Sequence, residues 1–376
     1  MFNIRKMLVM GTFGFASGLP YILIFSTLSA WLRDVGISLS LIGFFSWIAL
    51  TYSLKFLWAP FVDRFSVPIL NRYGRRKSWI ILTQLIIVFC IFTLSSINPI
   101  DSLSFFIFIA FLIAFSGSIQ DIAIDAFRIE YADISDQGNL AAAYQFGYRL
   151  AILAATSLAL ILADNYGWST SYEVMGLLML IGLIGVVISK KENINTHLEI
   201  LNFKNSFIKP IKDFGSRYGF YLASLLLLIV ATYRLTDIVM GPMANPFYLD
   251  MGYSLTEIGS VVKIVALIAS VIGVFLGGIL IKKIGLYYSL LIGAFLVMIT
   301  NACFSYVAIS QEEYILLGSI KMPLKLSLIV GLDSIAAGIV GTVNITFLTS
   351  MVSKKYTAVQ YALLTSFMML PGKFFG

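Results

Sequence analysis

The sequence predicts an all-α membrane protein made of two pseudo-symmetric helical bundles, and three observations carry that prediction. Of its 376 residues, 59% are hydrophobic and only 12% charged, too little polar surface to coat a soluble globule. The apolar residues come in continuous runs of about 20, the length a helix needs to cross a bilayer, rather than in the alternating ten-residue segments of a barrel. Finally, the chain contains a copy of itself. Leu32-Arg33-Asp34-Val35-Gly36-Ile37-Ser38-Leu39 returns 216 residues later as Tyr248-Leu249-Asp250-Met251-Gly252-Tyr253-Ser254-Leu255, and Ala143-Tyr144-Gln145-Phe146 returns as Ala358-Val359-Gln360-Tyr361 at an offset of 215. Two like-oriented halves of about half a dozen spans each point to a secondary transporter, with its substrate between the repeats near mid-membrane.

Spans are expected at 7–31, 40–62, 78–98, 103–128, 138–163, 169–189, 219–248, 256–281, 284–309 and 324–350, with an eleventh beginning near 357. The first follows Met1–Lys6. Its length and the lack of a small-x-small cleavage site make it an uncleaved helix rather than a signal peptide. Gly14-x3-Gly18 in the first span and Gly273-x3-Gly277 in the eighth permit close helix approach, and Pro20 is a candidate kink. Cys90 and Cys303 fall inside spans, so no disulfide is expected. The longest polar, basic stretch is 190–218, a cytoplasmic linker between an N-terminal six-helix bundle, 1–189, and a C-terminal bundle, 219–376. By the repeat offset Gly376 maps near Leu160. The counterpart of span 169–189 would therefore lie beyond residue 376, leaving about eleven of twelve helices in this chain.

Charge sets the orientation. With a cytoplasmic N terminus the inside loops hold 18 Lys and Arg, Arg128 among them, and the outside loops hold only Arg33, Lys321 and Lys325. That asymmetry satisfies the positive-inside rule and accounts for most of the +7 net charge without a nucleic-acid partner.

Four motifs then stand in order: Gly14-Phe15-Ala16-Ser17-Gly18-Leu19-Pro20, Tyr52-Ser53-Leu54-Lys55-Phe56-Leu57-Trp58-Ala59-Pro60 with Asp63-Arg64, Gly74-Arg75-Arg76-Lys77-Ser78-Trp79, and Gln120-Asp121-Ile122-Ala123-Ile124-Asp125-Ala126-Phe127-Arg128. With Ala358-Val359-Gln360-Tyr361-Ala362-Leu363-Leu364 they resemble the AmpG muropeptide permeases of the major facilitator superfamily, over nearly the whole chain. The resemblance implies the major facilitator fold. It also implies a bacterial inner-membrane permease that brings N-acetylglucosaminyl-1,6-anhydromuramic acid peptides from periplasm to cytoplasm, with protons, in cell-wall recycling. In that superfamily a cluster like Asp63, Arg64, Gly74, Arg75 and Arg76 latches the halves in the outward-open state by charge pairing. One position departs: Ala59 stands where the superfamily usually has Gly.

Ionisable groups inside a bilayer need a partner, a water-filled cavity or a function. Asp121 and Asp125 are i,i+4 neighbours on one helix face. Two carboxylates so close in a low dielectric resist ionising together, which makes one of them the expected proton carrier. Arg149 is long enough to alternate between that carboxylate and an anionic substrate group; a static ion pair locking the two helices is the alternative. Lys55, Gln120, Gln145 and Tyr148 complete the candidate substrate-binding set of the first half, and Arg234, Asp237, Lys263, Asp333 and Gln360 that of the second, with Tyr144 and Tyr361 as further aromatic candidates. His197, the only histidine, lies in the linker. No intramembrane histidine relay, His-dependent triad or metal cluster is therefore expected, and no catalytic residue or cofactor. The expected protein is a monomer that binds its small-molecule cargo, protons and lipid. Rival readings are a related transporter of another anionic metabolite such as acetyl-CoA, a membrane-embedded transferase or hydrolase, and a truncated, non-transporting remnant.

Overall fold

The computed structural model describes residues 4–38, 40–42, 48, 50–190, 203–236, 244, 247–248, 250–253, 265–309, 314–317 and 320–375. Helix α1 runs Ile4–Asp34 with one wide turn at Leu23–Thr27, a turn after Pro20. The described part of the second span is broken into α2 (Leu50–Ser53), a tight turn at Lys55–Leu57 and α3 (Ala59–Arg64). Then come α4 (Arg75–Ser95), α5 (Leu103–Tyr131), α6 (Ile134–Leu153), α7 (Ala159–Met179), α8 (Ile181–Ile188) and α9 (Phe203–Thr232). They are followed by α10 (Ala266–Ile309), a hairpin of β1 (Tyr314–Leu317) and β2 (Ile320–Pro323), α11 (Leu324–Met351) and α12 (Thr357–Phe375).

Seven helical stretches among the described residues are long and apolar enough to cross a membrane. Two of these, Ser135–Ile188 and Ala266–Tyr306, are bent pairs that turn at Gly167 and at Gly285. The chain is an integral membrane protein. Spans five and six, and eight and nine, thus meet at single glycine turns where short loops were expected. The second half of the expected linker loop is helical, joined to span seven through Gly219.

The first repeated stretch forms the same helix cap in both copies. The Ile37 N–H donates to the Leu32 carbonyl over 2.9 Å and the Tyr253 N–H to the Tyr248 carbonyl over 3.2 Å, in the same register of the two copies. The intervening Gly36 and Gly252 have φ 87° and 85°. This is the Schellman arrangement, which needs a left-handed residue where a side chain is costly.

Backbone packing divides the described chain into two compact units. The first falls within Met1–Asp133, Phe146–Ala223 and Val352–Ser366. Its core gathers Leu19, Leu23, Trp31, Ile87, Ile113 and Met175 from α1, α4, α5 and α7. Trp31 stacks on Trp168 at 5.7 Å, and the Trp168 indole donates to Asp34. Hydrocarbon lipid offers no hydrophobic drive between helices, so close approach through small residues must do the work. Gly147 lies on the Gly11 carbonyl, and a β-carbon on Gly18 would stand 3.0 Å from that of Ala151. The second unit falls within Ile134–Gln145, Ser224–Met351 and Phe367–Gly376. There Gly273 and Gly277 pack on the α11 backbone at Ile335 and Ile339, and Gly338 returns the contact at Ser270.

Candidate functional site

Pro60, at the start of α3, cannot continue the preceding helix, and the chain is interrupted at Lys55–Leu57. The Trp58 indole donates to Ser118 and pins this break onto α5. Lys55 is thereby buried, with its ammonium 3.8 Å from Asp121 and 3.7 Å from Asp125. Asp125 faces a second cation, Arg128, at 3.4 Å. Arg128 is 0% exposed, and its guanidinium lies 5.2 Å from the centre of the Tyr361 ring. Two carboxylates and two cations make an electroneutral buried cluster, the arrangement that makes charge inside a membrane tolerable. Asp121 is the more open carboxylate, its side chain 17% exposed against 10% for Asp125. The Ser17 hydroxyl donates to Asp121, and beside it the Gln120 amide donates to the Ala16 carbonyl, so α1 and α5 are joined at two successive residues.

A second charged cluster lies at the end of α5. Arg76, 1% exposed, meets Asp63 at 2.6 Å and Glu130 at 2.7 Å, and donates to the Val62 carbonyl and the Thr357 hydroxyl. Asp63 also accepts the Ala358 and Val359 N–H groups at 3.2 and 2.9 Å. Its carboxylate therefore caps α12, at the end of the helix where the dipole favours negative charge. Arg75 donates to the Asp63 carbonyl, Gly74 adopts φ 112° at the start of α4, and Arg64 donates to Ser206 of α9.

The structure thus brings together Lys55, Asp121 and Asp125, and separately Asp63, Arg75 and Arg76. The carboxylates of Asp121 and Asp125 are held by Lys55 and Arg128 rather than by Arg149. Arg149 sits half-buried on α6 after Tyr148, whose ring packs on Gly18. Gln145 turns its amide toward Gly341 of α11, and Tyr144 is buried. Gln360 is bonded elsewhere: it accepts from Arg217 and the Ser353 N–H, and donates to Pro210 and Asp213. In the second unit Asp333 accepts from Thr300 at 2.8 Å, and Arg234 follows the end of α9. Asp237 and Lys263 lie outside the described residues.

Arg128, Ser17, Glu130 and Thr357 are additions that sequence reading missed. The positive-inside pattern places Arg128 among the loop cations, and the structure corrects this to a fully buried partner of Asp125. Its i,i+3 spacing was the available signal.

Comparison with known proteins agrees with this architecture. The family model of the Major Facilitator Superfamily matches residues 5–376. The transporter AmpG 4 of Rickettsia conorii is 33% identical over 359 residues, which covers 94% of this chain and 84% of that protein. The anhydromuropeptide permease of Escherichia coli (strain K12) is 31% identical over 355 residues, covering 94% and 69%. The solved structure of the proton:xylose symporter XylE, 16% identical, covers 99% of this chain and 87% of its own with a TM-score of 0.69, a likeness of fold. With its helical architecture, its charged clusters and these relatives in agreement, the chain belongs to the major facilitator superfamily and, within it, to the AmpG-type transporters.

Proposed function

We propose that this transporter imports anhydromuropeptides across the bacterial inner membrane, from periplasm to cytoplasm, by proton-coupled alternating access, as a monomer with its N terminus in the cytoplasm. The cargo follows from the relationship to the Escherichia coli anhydromuropeptide permease. The observation that carries the coupling is the electroneutral cluster of Lys55, Asp121, Asp125 and Arg128.

In this reading a proton on Asp121 or Asp125 removes one negative charge and leaves a cation in excess. An anionic group of the cargo supplies the missing charge, and its departure returns Lys55 to both carboxylates as the proton leaves. Proton and cargo are coupled because each alone leaves a net charge in a low dielectric. Arg149, Gln145 and Tyr148, with Arg234 and Asp333 from the second half, are the further candidates for contacts to the cargo. The cluster of Asp63, Arg64, Gly74, Arg75 and Arg76 acts as the conformational latch, holding α12 by its N-terminal end and releasing it when the cargo site reorganises.

The test is uptake of radiolabelled anhydromuropeptide into proteoliposomes, with and without an imposed inward proton gradient. Accumulation that needs the gradient is the expected outcome. No uptake of the labelled anhydromuropeptide by folded protein, with labelled acetyl-CoA taken up instead, would overturn the cargo, and gradient-independent accumulation would overturn the coupling.

A further inference from the structure

Beside the charged cluster, the Tyr52 hydroxyl is among the buried polar atoms that make no hydrogen bond. It is enclosed and has no hydrogen-bond partner among the described residues. It lies against Gly117, one helical turn before Asp121 on α5, so tightly that a β-carbon on Gly117 would overlap the hydroxyl oxygen and stand 3.3 Å from the ring carbon that bears it. Tyr52 is itself one turn before Lys55. Around it two further rings meet edge to face: Tyr21 at 4.9 Å from Tyr52, Phe25 at 5.9 Å from Tyr52, and Tyr21 at 4.9 Å from Phe25.

A hydroxyl buried without a partner costs stability, and a phenylalanine would fill the same space at no such cost. Three aromatic rings beside one hydroxyl, a turn away from a cation and two carboxylates, match an amphipathic ring. Such a ring has an apolar C–H face to lie on the aromatics, polar substituents at its edge, and an anionic group attached.

We infer that the Tyr52 hydroxyl is a specificity-determining contact for the sugar portion of the cargo. It hydrogen-bonds a polar edge substituent of a glycosyl ring that packs on Tyr21, Phe25 and Tyr52 while the anionic portion approaches Lys55. The inference rests on the muropeptide reading above and divides that cargo between two neighbouring groups of residues.

The experiment compares wild type, Tyr52→Phe, Gly117→Ala and the double variant in proteoliposomes. Anhydromuropeptide is the labelled cargo, and the peptide-free N-acetylglucosaminyl-anhydromuramic acid disaccharide or the free stem peptide is the competitor. Loss of one hydrogen bond to the cargo raises KM about tenfold in Tyr52→Phe, with kcat and gradient dependence unchanged and the melting temperature of the empty protein raised rather than lowered. The inhibition constant of the disaccharide rises in parallel while that of the free peptide does not. Gly117→Ala displaces the hydroxyl and reproduces the rise, yet adds little once the hydroxyl is gone. An unchanged KM in Tyr52→Phe, or equal weakening of both competitors, overturns the inference and leaves muropeptide transport standing. Failure of wild type to take up any anhydromuropeptide overturns the transport reading and this inference together.

Discussion

Gln120 completes a bond that Pro20 cannot make. Proline has no N–H for the carbonyl four residues earlier, which in α1 belongs to Ala16, and the Gln120 side-chain amide donates to that carbonyl over 2.8 Å. A helix break in lipid must be repaired by a neighbour. Here the neighbour is the residue next to Asp121, so the Pro20 stretch of α1 and the carboxylate face of α5 are held in one register. Gln120→Leu removes the repair and is expected to cost about 1–3 kcal/mol. In a Pro20→Ala background the backbone N–H returns and most of that cost disappears. Thermal melts of the four proteins in detergent form the double-mutant cycle, and additive losses would contradict the pairing.

Charge counting predicts the behaviour of the buried cluster. Lys55→Met leaves Asp121 and Asp125 with one cation between them and is expected to destabilise by about 3–5 kcal/mol. Adding Asp125→Asn restores neutrality and recovers much of the melting temperature. Equal melting temperatures for the single and double variants would count against the balance.

Asp121→Asn separates coupling from binding. Gradient-driven uptake is expected to vanish while exchange of cargo across the membrane continues. Proteoliposome assays in both modes decide it, and intact proton coupling in this variant assigns the carrier elsewhere.

The two arginines at the start of α4 differ sharply. The Arg76 side chain is 1% exposed and serves Asp63 and Glu130, whereas that of Arg75 is 26% exposed. Arg76→Gln leaves the buried Asp63 carboxylate without its cation and is expected to lower stability by about 3–5 kcal/mol. Arg75→Gln stays within about 1 kcal/mol. Paired melting curves read the contrast directly.

The duplicated caps predict paired responses. Gly36→Ala and Gly252→Ala each place a β-carbon at positive φ, with nothing nearby to clash, and each should cost about 1–2 kcal/mol from the backbone alone. Asparagine at either position should cost less than alanine. Equal losses for the two residue types would mean that something other than the left-handed backbone governs the site.

Much of this was legible in the sequence where the physics is local. Asp34-x-Gly36 and Asp250-x-Gly252 stand out because a cap is a short-range backbone rule, and Asp121 and Asp125 because i,i+4 spacing is a face. What escaped depends on distant chain meeting distant chain. Asp63 caps a helix that begins 294 residues later, and no spacing announces that. Lys55 was visible as a costly buried cation, but its partners emerged only when the break before Pro60 set it against α5. Arg128 was hidden by the positive-inside rule, which claims every cation near a helix end as topology. Gln360, proposed for cargo from its repeat position, is engaged with the second half of the linker, a segment whose helical form its polar composition did not reveal.

Helix α5 carries both charged clusters on one unbroken rod, with Asp121 and Glu130 about 14 Å apart along its axis. Beside it, α12 offers Thr357 to Glu130 and, one turn on, Tyr361 to Arg128. Both contacts lie at the Glu130 end of α5, and Arg128 carries the link on to Asp125, so in the reading proposed above whatever factor an occupied cargo site imposes on closure of the latch, closure imposes on the affinity of that site. In the proposed reading the latch and the carboxyl about two and a half turns away from it share one helix, and a variant that loosens the one should be recognisable by titrating the other.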